Sequence, residues 1–172
     1  DDLLVYNALE KIVESFNAKG EKDFYYGDGI TLTASGFLKK DTCYIKGKYF
    51  SDFQIYHPSL YIKKDTFIEL NGFNIDFFIS ADADFELKLI TNKKSYEKIS
   101  NSLCIYRGGG HSSRFMWVKV KQVYKIYKQY NSLDVSYYLM TIRLLILMQV
   151  RKIFGKGFID KLSVFKYRIL RR

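Results

Sequence analysis

Ile79-Ser80-Ala81-Asp82-Ala83-Asp84-Phe85-Glu86-Leu87-Lys88-Leu89 sets Ala81, Phe85 and Leu89 at helical spacing and gathers its carboxylates near the start. That pattern predicts a helix beginning near Ser80 with one buried stripe. The amides and dipole of a helix start favour an ionised carboxylate, which makes Asp82 a candidate general base beside a pocket. Asp82 and Glu86 share a face, whereas Asp84 points roughly the other way, so the three acids need not share a role. A solvated helix start whose acids cap the first turn accounts for the same pattern.

The surrounding chain has 172 residues, enough for a real core, and at 48% hydrophobic and 27% charged it reads as globular rather than disordered. Its 15 Tyr and 14 Phe, against a single proline, require an interior of bulky planar side chains. The formal charge of +10 is unevenly placed. Residues 111–172 hold 14 Lys/Arg against 2 Asp/Glu, while residues 1–110 hold 14 against 16, so the basic excess lies wholly in the tail. Cys43 and Cys104 stand far apart with no CxxC, which reads as two buried thiols in a reducing compartment. The chain starts on Asp1 rather than Met without resembling a secretion signal, and reads as a piece of something longer.

In chain order, Leu3, Val5, Ala8, Leu9, Ile12, Val13 and Phe16 predict an amphipathic helix ending at Gly20, with Asp1 and Asp2 at its start. A short aromatic strand, Asp23 to Tyr26, is expected next, then a turn at Gly27-Asp28-Gly29 and a second strand from Ile30 to Ala34. Residues 35–52 read as a loop with a short strand near Cys43 to Ile45. Ile55 to Ile62 reads as a strand entry in which Pro58 biases His57 towards an extended conformation. His57 suits either a substrate contact or a hydrogen-bonded wall position. Lys64 to Leu70 predicts a short helix closed by Asn71-Gly72, and Ser102 to Arg107 a buried strand. Gly108-Gly109-Gly110-His111-Ser112-Ser113 follows it, a loop able to offer amides to an anion and equally readable as a linker.

Beyond residue 113 the chain becomes helical and basic. Val120, Val123, Tyr124 and Tyr127 form one stripe among lysines, and Asn131 to Asp134 breaks the helix. An apolar helix then runs from Val135 to Phe154, followed by a third basic helix from Lys156 to Arg172. Arg143 interrupts that segment, and the uninterrupted apolar run from Leu144 to Met148 falls well short of the roughly 20 residues a membrane span needs. Such basic amphipathic pieces suit an anionic membrane surface or packing against the body of the protein.

The acidic pair, the Tyr-Tyr-Gly-Asp strand, His57-Pro58-Ser59, Asn71-Gly72-Phe73 before the Ala-Asp-x-Asp helix, and Tyr106-Arg107-x-Gly-Gly-x-Ser112, taken in order, resemble the family 2 glycosyltransferases. The resemblance covers Asp1 to about Ser113. It implies an α/β fold, a partial Rossmann-like GT-A domain over residues 1–113, with a basic helical tail over residues 114–172. It also implies inverting transfer of a sugar from a nucleotide-sugar donor to a saccharide or lipid-linked saccharide acceptor, in polysaccharide assembly at the cytoplasmic face of the cell membrane. Asp82 matches the family's base, with Asp84 as the second candidate. Asp1 and Asp2 are similar to positions that hold a divalent metal, Mg or Mn, on the diphosphate. Arg107, Gly109, Gly110, His111 and Ser112 are similar to the donor-closing loop, and His57 to a polar position beside the acceptor. The family's nucleotide-binding half lies upstream of the acidic pair, so the resemblance implies an acceptor-side part that is inactive until that half is supplied.

Three other readings compete. The basic aromatic tail suits a non-catalytic module for an anionic membrane surface or nucleic acid, although no groove-reading motif accompanies it and a nucleic-acid partner is not expected. The acids suit a metal-dependent hydrolase, for which one histidine near an acidic pair is poor ligand density. A non-catalytic descendant of the transferase family is the third.

Overall fold

The computed structural model describes residues 2–32, 36, 38–107 and 115–154. It is a mixed α/β protein whose chain divides into two compact units, the first ending at Leu133 and the second beginning at Asp134.

The first unit is built on a sheet in the order β1-β7-β2-β3. Its strands are β1 (Leu3–Leu4), β2 (Phe24–Leu32), β3 (Leu38–Asp41), β6 (Leu60–Ile62) and β7 (Tyr96–Arg107). β2 and β7 run parallel, from Phe24 opposite Tyr96 to Leu32 opposite Arg107. β6 pairs antiparallel with the first half of β2 and β3 with its second half, while β1 lies antiparallel against the far edge of β7. β4 (Tyr44–Ile45) and β5 (Phe53–Gln54) form a separate ribbon.

Side chains of β2 alternate between two faces, and each face has its own core. Phe24 and Tyr26 pack with Cys43, Phe85 and Leu89. That brings α3 (Ala81–Thr91) against one face, with Phe67 and Leu70 from α2 (Lys64–Glu69) and the residue after it. Tyr25 packs on the other face with Ile99, Leu103 and Ala8, the last from α1 (Ala8–Lys19). Both cysteines are buried and unpaired, and burial pushes each thiol up to about 11.

The expected turn at Gly27-Asp28-Gly29 is instead the middle of β2, which continues through it with a shift of register against β7. Both glycines serve close approach. A Cβ at Gly27 would stand 2.6 Å from Leu103 Cγ and 2.8 Å from the Asn101 carbonyl oxygen, and one at Gly29 would meet the Tyr56 ring at 2.9 Å. Gly27→Ala should therefore cost about 1–3 kcal/mol by overpacking, read as a lower urea midpoint. An unchanged midpoint would mean that β7 yields at no cost.

The N-terminal helix is also shorter than expected. Leu3 and Leu4 form β1, α1 starts at Ala8, and Gly20 closes it with φ 76°. Asp2 thus precedes a strand rather than capping a helix, and Leu9, Val13 and Phe16 stay exposed. The region expected to be mostly loop holds β3 as well as the short strand foreseen near Cys43. His57–Ser59 is a 3₁₀ turn rather than extended chain, with Pro58 in its first turn where the missing N–H is harmless.

α4 (Met116–Gln129) belongs to the first unit. Val123 and Tyr127 of the expected stripe are buried, joined by Ile126, while Tyr124 is exposed. In the second unit α5 (Val135–Phe154) begins with Asp134 Oδ1 accepting the Tyr137 N–H at 3.0 Å. Among the described residues no helix is long and apolar enough to cross a membrane. The helix expected over residues 156–172 lies outside the described residues.

Candidate active site

α3 leads directly into β7, and its last turn lies near the start of the parallel strands, where Phe24 stands opposite Tyr96. Eleven helical residues span about 16 Å, so α3 runs back along the first half of β2, where Phe85 and Leu89 pack on Phe24 and Tyr26.

Ser80 precedes the helix, but its side chain makes no cap bond and its Oγ is buried without a partner. The cap comes from α4: Gln122 Oε1 accepts the N–H groups of Ile79 at 3.0 Å and Ser80 at 3.1 Å. Asp82 lies half-buried in the first turn with Oδ1 accepting the Ala83 N–H at 2.8 Å. One turn on, Glu86 is buried and holds its proton well above the ordinary carboxylate value of 4.5. Burial is the main cause, the Asp82 charge adds to it, and the Lys119 ammonium opposes it. Asp82 and Glu86 are thus a charge-coupled pair in which Glu86 keeps the proton.

Asp84 is fully buried on another face, 3.2 Å from the Lys88 ammonium, with the Tyr130 hydroxyl donating to it at 3.4 Å. These partners commit Asp84 to holding α3 in place and remove it as an accessible base.

Glu86 makes fold stability depend on pH. The folded state binds its proton more tightly than the unfolded chain, so stability falls as pH rises from about 4.5 towards the raised folded value. Glu86→Gln removes this slope. Its melting temperature relative to wild type should rise between pH 5 and pH 8, and a constant difference would mean that Glu86 is ionised in the fold.

At the ends of the parallel strands, Thr31 stands opposite Tyr106. Thr31 donates to Asp41 Oδ2, the Tyr56 hydroxyl lies 3.1 Å from the same oxygen and 2.6 Å from the Tyr106 hydroxyl, and Lys39 pairs with Asp41 at 2.5 Å. Burial, opposed by the Thr31 hydroxyl and reinforced by Tyr106 and the Asp41 charge, pushes the Tyr56 hydroxyl well up, so it stays neutral. His57 follows Tyr56, is exposed, and sets its ring 5.7 Å from that of Phe73, itself 5.4 Å from Phe85 on α3. Arg107 is exposed at the end of β7. Asp2 is exposed just before β1, where its charge adds to burial in raising the Cys104 thiol.

The end of β7 therefore carries Asp2 and Arg107, while His57 stands beside Phe73, which packs on α3. Asp1, Gly109, Gly110, His111 and Ser112 lie outside the described residues. Among the described residues no three His, Cys, Asp or Glu side chains group around a metal position. Glu86, Gln122 and Lys119 were not singled out from the sequence. The shared face of Asp82 and Glu86 hinted at the first, and nothing local marks the other two. No family model, curated protein or solved structure matches the chain.

Proposed function

We propose that this chain is the acceptor-side part of an inverting, GT-A-type glycosyltransferase that passes a sugar from a nucleotide-sugar donor to a saccharide or lipid-linked acceptor. The observation that carries the reading is a half-buried Asp82 in the first turn of α3, charge-coupled to a Glu86 that keeps its own proton. An inverting transfer needs one such base. Asp82 takes the proton of the acceptor hydroxyl as that oxygen bonds to the anomeric carbon, and the bond from that carbon to the diphosphate breaks on the opposite side.

In this reading His57 lies beside the acceptor, and Arg107, Gly109, Gly110, His111 and Ser112 line the donor. Asp1 and Asp2 would hold a divalent Mg or Mn, which would offset the charge growing on the departing diphosphate. The acceptor class sets the work at the cytoplasmic face of a membrane.

The test is transfer of label from a panel of nucleotide sugars into membrane extracts, with the chain alone and with whatever coding sequence precedes Asp1. Transfer that needs the upstream sequence and Asp82 supports the proposal. Transfer by neither form with any donor rejects it.

A further inference from the structure

The loop 71–79, between α2 and α3, puts Ile75 into solvent with 94% of its surface exposed, and Phe73 is 42% exposed. At its end the Phe78 ring lies 6.1 Å from that of Phe115, which precedes α4, so the loop and the start of that helix form one surface. Trp117, 49% exposed, and Val118, 39% exposed, extend it. Along α4 Trp117, Lys121, Tyr124 and Lys128 recur at spacings of four, three and four on the outward face, with Lys125 beside them. Lys128 lies over the Tyr124 ring at 5.7 Å. α4 carries four lysines and no acid, and Asp76 is the single acid of the loop.

We propose that this surface docks on an anionic lipid bilayer. Tryptophan, tyrosine and lysine share the headgroup level of a membrane, and an aliphatic tip such as Ile75 gains free energy when it leaves water for the hydrocarbon just below. Each lysine near an anionic leaflet contributes about fivefold in partition. Single-stranded nucleic acid would also meet the lysines and aromatic rings, but Ile75 and Val118 offer no ring for a base to stack on. Gln122 ties this helix to the amides of Ile79 and Ser80, so docking brings the start of α3 to the lipid surface. This rests on the lipid-linked acceptor of the reading above and names the surface that reaches it.

The experiment is sedimentation of the full chain with vesicles of phosphatidylcholine alone and of phosphatidylcholine mixed with phosphatidylglycerol, with and without added salt. Binding should require the anionic lipid and weaken with salt. Ile75→Asp should lower it about tenfold, and Lys121→Glu with Lys125→Glu at least about 25-fold. Ile75 lies outside the core, so its variants should keep the wild-type melting temperature; Ile75→Ser replaces the aspartate if that variant fails to fold. Equal binding to neutral vesicles, or binding that ignores both sets of substitutions, overturns the proposal. So does binding of a single-stranded oligonucleotide that depends on the lysines but not on Ile75. No sugar transfer enters this measurement, so it and the transferase reading fail separately.

Discussion

Lys88→Met should destabilise the first unit by about 3–5 kcal/mol, the largest stability change expected from a single substitution here. Asp84 is fully buried, and among the described residues the Lys88 ammonium at 3.2 Å is its ionic partner, supplemented by the long contact from the Tyr130 hydroxyl. Removing the lysine strands a carboxylate where water cannot reach it. Lys88 also donates to the Gly72 carbonyl at 3.2 Å, so part of any loss comes from freeing the turn after α2. Asp84→Asn added to Lys88→Met separates the two contributions, because it removes the stranded charge and leaves the Gly72 carbonyl unpaired. Most of the loss should be recovered in the double variant, measured by urea denaturation. A double variant as unstable as the single one would show that the ion pair contributes little and the Gly72 bond most.

The elements that carry the acids were legible because their signals are local. The spacing of Phe85 and Leu89 fixed α3, Asn71-Gly72 ended α2, and Asn131 to Asp134 separated two helices, each through its own backbone preferences. The errors fall where a distant partner decides. Gly27-Asp28-Gly29 has turn composition, yet β2 runs through it because Leu103 and Tyr56 press on the glycines and Asp28 has buried partners. Burial pushes that carboxyl up, but the Cys43 amide, Lys40 and Lys98 outweigh it and hold it below its ordinary range. Leu3 and Leu4 continue a helical period, but pairing with Cys104 and Ile105 makes them a strand. At the site, Asp82 was legible as an acid at a helix start. The separation of its role from those of Asp84 and Glu86 depends on Lys88, Tyr130 and Lys119, of which only Lys88 lies within the same helix.

Asp82→Asn should reduce sugar transfer by about 10²–10⁴-fold while leaving donor affinity within a few-fold. The amide keeps the size of the carboxylate, and its oxygen can still accept the Ala83 N–H that Asp82 accepts at 2.8 Å, so the first turn of α3 is retained. What it cannot do is take a proton from an alcohol. Glu86→Gln gives the contrast: if Glu86 is already protonated, a neutral isostere changes little, and transfer at pH 7 should stay within about tenfold of wild type. The coupling also predicts a shift between the two sites. Asp82 helps raise the proton affinity of Glu86, so Asp82→Asn should let Glu86 ionise at lower pH and flatten the decline of stability above about 4.5. The kinetic and stability readouts can therefore disagree in an informative way. Flattened stability with wild-type transfer would keep the charge pair and remove Asp82 from catalysis, whereas lost transfer with an unchanged stability profile would keep the base and remove the coupling.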